Sequence, residues 1–191
     1  NAGAKIVTNC AVRGIETSGG RVSGVVTESG SIATSAVLLA GGAWSRLFCG
    51  NLGIDLPQLL VLGSVSRVSA VDGMPDITVG GSKFAYRRRL DGGYTVAQRS
   101  ASISELTPDS FRLFLDFLPA WRSEWRDIKV RPGRRFTEEL RRKRSWSMDE
   151  RTPFEDLRIL NPKPNASVVT GGLEHLQRIV PAFRNARVTD S

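Results

Sequence analysis

Apolar and polar positions alternate in three short segments near the start of the chain, at residues 10–16, 22–28 and 31–33. Ser18-Gly19-Gly20-Arg21 and Ser29-Gly30 separate them, connections short enough to force antiparallel neighbours. The pattern predicts a β-meander with Val22, Val26 and Ile32 facing inward, although Val25 interrupts the simple alternation. Residues 36–40 are then almost continuously apolar, as in a strand buried on both faces. Gly41-Gly42 follows, and a short helix is expected over residues 43–52. At the two ends the pattern is abrupt. Residues 1–7 read as a helix end, a glycine C-cap and a strand, and residues 184–189 read as entry into another strand. The expectation is an internal piece of a longer protein.

Beyond Pro57 the pattern changes. Strand-like runs at 59–71, 77–79, 84–89 and 94–98 predict a larger antiparallel sheet, with Asp91-Gly92-Gly93 as a hairpin turn. Phe84, Tyr86 and Arg88 share one face of the hairpin's first arm; Tyr94, Val96 and Gln98 share one on the second. Residues 109–118 predict an amphipathic helix whose core side carries Phe111, Phe114, Leu115 and Leu118. Trp121 and Trp125 lie four apart and face one side if the helix resumes after Pro119. Residues 129–165 are irregular and rich in Arg and Pro, and Pro162 and Pro164 stiffen the connection to residues 166–170. The glycine pairs at 19–20, 80–81, 92–93 and 171–172 read as turns, the last leading into a helix that places Leu173, Leu176 and Val180 on one side.

Composition narrows the function classes. The chain has 191 residues, 40% of them hydrophobic, enough for a real core. No apolar run reaches the length of a membrane span, and a cytoplasmic setting is expected. Cys10 and Cys49 stand far apart beside a single histidine, His175, so no zinc spacing and no CxxC exist. The net charge of +8 is concentrated in Arg87-Arg88-Arg89 and across 129–151, where acidic residues are interleaved. No nucleic-acid-binding motif accompanies it, and a solvated face or steering of an anionic substrate is the better account. Walker A, Gly-x-Gly-x-x-Gly and Gly-x-Ser-x-Gly patterns are all absent, so neither a nucleotide loop nor an activated serine is assigned.

The informative junction is Val37-Leu38-Leu39-Ala40-Gly41-Gly42-Ala43-Trp44-Ser45. Two residues without Cβ at the end of a core strand let backbone approach a bulky group closely. With Gly3-Ala4-Lys5-Ile6, Val12, Gly20-Arg21-Val22-Ser23-Gly24-Val25, Gly30, Leu52-Gly53 and Leu56-Pro57, this junction resembles the later part of the flavin domain in the D-amino-acid oxidase, glycine oxidase and sarcosine oxidase superfamily. The resemblance implies a mixed α/β and α+β fold. Residues 1–57 would be the C-terminal part of a Rossmann-like FAD-binding domain, contributing its β-meander and last strand. Residues 58–183 would form an antiparallel-sheet substrate domain with helices, and 184–191 the return to the flavin domain.

By the same resemblance, Val12 offers its backbone to the adenine of FAD. Ala40, Gly41 and Gly42 approach the cofactor, and Trp44 packs near the isoalloxazine side. Gly41 stands where alanine or threonine is usual. Residues 86–94 resemble the family's substrate hairpin and put Tyr86 and Arg88 toward a bound amino acid, arginine's fork suiting a carboxylate. Leu62-Gly63 replaces the family's Arg-Gly, so that arginine's role is not carried over. The implied reaction is oxidation of a small-molecule amine or amino acid by hydride transfer to flavin, with oxygen or another acceptor taking the electrons. No catalytic acid–base pair is assigned. Lacking the dinucleotide loop, the isolated piece is expected to be inactive. The alternative from another class is a noncatalytic domain binding an anionic partner, which explains the charge but gives the strand–Gly-Gly–Trp junction no purpose. A nicotinamide dehydrogenase is disfavoured by the β-meander.

Overall fold

A computed structural model describes residues 3–99, 102–125 and 128–191, so the helix end expected at residues 1–2 lies outside the described residues. In chain order the elements begin with β1 (Val12–Ser18), β2 (Arg21–Thr27), β3 (Gly30–Ala33) and α1 (Ser45–Asn51). There follow β4 (Val65–Val68), β5 (Val79–Gly80), β6 (Phe84–Arg88), β7 (Tyr94–Gln98), β8 (Ser102–Glu105), α2 (Pro108–Arg112) and α3 (Phe114–Glu124). The last are β9 (Ile128–Arg131), α4 (Arg135–Arg141), α5 (Pro153–Asp156), α6 (Ala166–Ile179) and β10 (Val188–Asp190). Two compact units contain them. The first comprises Asn1–Gln58 with Glu138–Asn161, the second Leu59–Thr137 with Pro162–Ser191.

In the first unit β1, β2 and β3 form the expected antiparallel meander, in that order. The β1–β2 register slips between Val12 and Gly14 and again between Glu16 and Thr17. Each slip breaks the two-residue alternation, so faces cannot be assigned by counting. Val25, 9% exposed, is therefore the buried valine, whereas Ile32 is exposed and Val22 and Val26 are half-buried. The doubly buried strand expected at 36–40 does not form. Such a strand needs neighbours on both edges and cover on both faces. Among the described residues none pairs with 36–40, and Leu38 is 92% exposed. Ile6 and Val7, in the strand expected at the start, are likewise exposed and unpaired in any sheet.

Side chains rather than backbone ladders hold Glu138–Asn161 in this unit. Arg158 donates from Nη1 and Nη2 to the two oxygens of Glu28 at 2.8 and 2.7 Å, and Ala11 N–H donates to Glu28 Oε1 at 2.7 Å. The Arg158 hydrogen bonds, helped by that backbone donor, lower the Glu28 carboxyl from its ordinary 4.5 to about 2. Lys143 and the backbone of Ser147 do the same for Glu150, again to about 2.

The second unit is built on a five-stranded antiparallel sheet, ordered β10-β4-β7-β6-β5, with β8 and β9 as a separate parallel pair. The hairpin expected at Asp91-Gly92-Gly93 joins β6 to β7, with Arg88 opposite Tyr94 and Phe84 opposite Gln98. Only Val65–Val68 of the long run 59–71 is strand; Leu62 adds an isolated bridge to Ile103. One face of the sheet buries Val68, Phe84, Tyr86, Tyr94 and Val96 with Leu173 and Leu176 of α6 and with Phe183.

Two helical expectations change here. The helix expected at 109–118 is broken at Leu113 (φ −100°, ψ 14°), so residues on either side do not share one helical phase. Leu113 is buried, while Phe111, Phe114 and Leu115 are exposed and Leu118 is half-buried. After the break α3 runs through Pro119, and Trp121 and Trp125 are exposed. Gly171-Gly172 is not a turn: α6 passes straight through it. A Cβ on Gly172 would lie 3.2 Å from the Gln98 backbone nitrogen and 3.3 Å from Gln98 Cβ, so small residues let helix and strand meet.

Two outcomes follow from these contacts. Gly172→Val should lower stability by about 1–3 kcal/mol by forcing α6 away from β7; urea unfolding checks this, and an unchanged midpoint would show that no tight contact exists there. The second outcome concerns acid. Above about 4.5 Glu28 and Glu150 are charged in folded and unfolded chains alike and their contribution is complete. As pH falls from about 4.5 through about 2, the unfolded chain takes up protons the folded one resists, and that stability is lost. The thermal midpoint should therefore fall across this window, and Glu28→Gln should make the fall shallower.

Candidate functional site

The bend at Gly41-Gly42 is shaped by local hydrogen bonds. Gly41 has φ −78° and ψ 4°, and Gly42 adopts φ +53°, a conformation that favours glycine. Residues Gly42–Trp44 make one 3-10 turn that runs into α1, with Trp44 N–H donating to Gly41 O at 3.0 Å. Gln58 braces it, its Nε2 donating to Gly42 O at 3.2 Å and its Oε1 accepting from Arg46 N–H at 3.3 Å. Arg46 in turn donates to Asp55 Oδ1 at 3.1 Å and to Leu56 O.

This bend presents bare backbone. A Cβ on Gly41 would touch Ser45 Oγ at 3.3 Å, but one on Gly42 would meet nothing within 4 Å. Ala40, Gly41 and Gly42 are exposed, and the residues before them, Val37, Leu38 and Leu39, are exposed apolar side chains. An uncharged, unobstructed backbone flanked by apolar surface fits a flat conjugated ring. Val12, the other expected contact, opens β1 opposite Thr27 and is half-buried.

A chain of contacts connects these two places through Glu138–Asn161. The Trp44 ring meets Phe154 edge-on at 5.2 Å, and Phe154 meets Trp146 at 5.2 Å. Phe48 of α1 lies 6.2 Å from Phe154, and the Arg142 guanidinium sits 5.1 Å over Trp44. Trp146 Nε1–H donates to Arg13 O at 2.7 Å, and Trp146 N–H donates to Asn51 Oδ1 at 2.8 Å. Arg13, next to Val12, reaches both oxygens of Glu155 at 3.0 Å from Nε and Nη2, and Asp149 O at 3.4 Å. Glu155 also accepts from Thr152 N–H and Oγ1–H at 3.1 Å each. The Arg13 fork holds the Glu155 carboxyl below its ordinary range against the opposing effect of burial.

Sequence reasoning missed Arg13, Trp146, Phe154 and Glu155. The one signal present was Thr152-Pro153-Phe154-Glu155, a helix-start pattern with Glu at the third helical position. It announces α5 but not its partner 142 residues away.

Tyr86 and Arg88 have different surroundings. The Tyr86 ring is 5% exposed and packs on Phe84, Tyr94 and Phe183 beneath α6. Arg88 and Arg87 are exposed, and Arg89 pairs with Asp91 at 2.6 Å. Much of the remaining positive charge is engaged internally: Arg131 pairs with Glu105, Lys143 with Glu150 and Arg151 with Asp156. His175 places Nδ1 2.9 Å from Gly171 O within its own helix. Cys10 and Cys49 are free thiols, and no group of acidic, His and Cys side chains able to hold a metal occurs among the described residues. No helix among them is long and apolar enough to cross a membrane.

Comparison with known proteins agrees with this architecture. L-amino acid deaminase from Proteus myxofaciens, solved with anthranilate, superposes with a TM-score of 0.86 and 39% identity over 95% of this chain and 40% of that one. The Proteus vulgaris deaminase gives 0.83 and 32% over 95% of this chain and 42% of that one. A D-amino acid dehydrogenase from Bradyrhizobium diazoefficiens is 40% identical over 79 residues, which are 40% of this chain and 19% of the relative. The chain thus spans about two fifths of the solved deaminases it matches. The family described as FAD dependent oxidoreductase (DAO) matches residues 1–188, and the chain belongs to that family.

Proposed function

We propose that the protein containing this chain is an FAD-dependent oxidoreductase that oxidises a small-molecule amine or amino acid, passing the electrons to oxygen or another acceptor. The observation that carries the reading is the bare bend at Ala40, Gly41 and Gly42, where Gly42 takes a positive φ and nothing stands over it. Family membership supports the cofactor, and the names of the deaminases and the dehydrogenase support an amino acid as substrate.

In this proposal Val12 offers strand backbone to the adenine, and Ala40, Gly41 and Gly42 line the ring with Trp44 beside them. The chemistry supplied by bound FAD is uptake of hydride from the carbon bearing the nitrogen. The side chains of this chain bind and orient. Arg88 is exposed and suits a substrate carboxylate; Tyr86, expected beside it as a second substrate contact, is buried among Phe84, Tyr94 and Phe183, so its role in this proposal is to anchor β6, the strand on which Arg88 stands. A neutral amine needs no strong base, in keeping with a chain that offers no obvious acid–base pair.

The full-length protein should show oxidised-flavin absorption near about 375 and 450 nm, bleached by an amino acid under anaerobic conditions. A purified protein without those bands that takes up no added FAD would end the proposal. Arg88→Ala in the full-length enzyme should lower kcat/KM for an anionic amino acid by about tenfold or more, with a smaller effect on an uncharged amine. Equal kinetics for both substrates would remove Arg88 from substrate recognition.

A further inference from the structure

The segment Glu138–Asn161 leaves the second unit's run of sequence and packs with residues 1–58. Little of it is regular: the end of α4 and the four residues of α5 are its helical parts. Yet its side chains make a dense set of directed contacts. Trp146 alone bridges two elements, donating from its backbone to Asn51 at the end of α1 and from its ring to Arg13 O in β1. Phe154 packs between Trp44, Phe48 and Trp146. Glu155 takes both arms of the Arg13 guanidinium, and Met148 lies against Gly14, its Cγ 3.0 Å from where a Cβ would stand.

These contacts do not fall at random on the first unit. They fall on Arg13 and Gly14, the residues after Val12, on Glu28, whose carboxylate also takes Ala11 N–H just before Val12, and on Trp44 with the helix that follows the diglycine bend. We infer that Glu138–Asn161 is a clamp that positions both halves of the cofactor-binding surface: Arg13, Trp146 and Glu155 set the strand at Val12, and Phe154 sets Trp44. The inference rests on the FAD reading and deepens it, because it assigns the segment to cofactor retention. None of these clamp residues needs to touch the cofactor; they are positioning residues.

Two physical points support the assignment. The first is that the Arg13–Glu155 pair is an expensive way to fasten a loop, since both charges lose water and must be repaired by geometry. The repair is complete here: two guanidinium contacts and two from Thr152 converge on one carboxylate. Such a pair fixes orientation more than it adds stability, which suits a strand whose backbone must present its polar groups at one angle. The second is that the aromatic contacts hold Trp44 edge-on, leaving the adjacent bend uncovered.

The test uses the full-length protein stripped of flavin, with FAD and ADP as probes, ADP reporting the adenine side alone. Glu155→Gln and Trp146→Phe should each weaken FAD and ADP binding by a similar factor, about tenfold. Phe154→Ala should weaken FAD by a comparable factor and leave ADP unchanged, and should alter the visible circular dichroism of the bound flavin. A purely structural segment would lower the thermal midpoint of all three variants with both affinities unmoved, and that result overturns the inference. Trp146→Phe keeps an aromatic ring and removes the donor to Arg13 O; where Phe154→Ala fails to fold, Phe154→Leu keeps apolar volume, removes the edge-on contact to Trp44 and carries the same expected outcome. A wild-type protein that binds ADP and FAD while every variant binds both equally well rejects the clamp alone. A wild-type protein that binds neither rejects the cofactor reading beneath it.

Discussion

The bidentate contact between Arg13 and Glu155 is the constraint on which the first unit turns. Ordering a segment such as Glu138–Asn161 costs conformational entropy, on the order of 1–2 kcal/mol per residue for backbone. A helix or a sheet offsets that cost with repeated hydrogen bonds, but this segment has few. What remains is a small number of long-range side-chain ties: Arg13 to Glu155, Arg158 to Glu28, and Trp146 to Arg13 and Asn51. Removing one partner of the Arg13–Glu155 pair leaves a poorly solvated charge, so the tie is worth more to orientation than its net stabilisation suggests. The meander and the bend are each held from a third place in the sequence.

The second unit solves the same problem by packing. Its sheet is antiparallel, short-stranded and covered on one face by α6, and the helix comes close because Gly172 has no side chain to hold it off Gln98. Tyr86, Tyr94 and Phe183 interlock at ring separations of 5.0–6.0 Å in the space that closeness creates. A glycine pair inside a helix weakens it locally. Here that loss is set against burial of the aromatic face, which the approach of the helix permits.

Local grammar made much of this legible. The turns at Gly19-Gly20, Gly30 and Asp91-Gly92-Gly93 dictate antiparallel neighbours over a few residues, so the meander and the hairpin could be read directly. The glycine bend leading into α1 was legible for the same reason. What depends on distant chain was not. Val25 is buried because two register slips reset the faces of β1 and β2. Leu38 is exposed because burial of an apolar run is decided by its neighbours. Gly171-Gly172 carries the composition of a turn, yet it lies in a helix because tertiary contact rewards small side chains there. No sequence pattern links Arg13 to Glu155, 142 residues on; only the fold sets them 3.0 Å apart.

That last example also bears on how the net charge of +8 should be understood. A basic chain invites an anionic partner, but an arginine can be recruited by such a partner only if its fork is free. Arg13 and Arg158 are held by carboxylates, and Arg89 and Arg131 by neighbouring acids. These side chains account for a share of the positive charge. Part of it is internal fastening, concentrated where a poorly structured segment must be kept in place. Arg88 is exposed at the end of β6, next to a turn fixed by Arg89 and Asp91, and in the proposed function it is the arginine that would take a small carboxylate. Under the proposed function, the remaining charge serves a small anionic ligand at a defined position, and an extended polyanion is not needed to account for it.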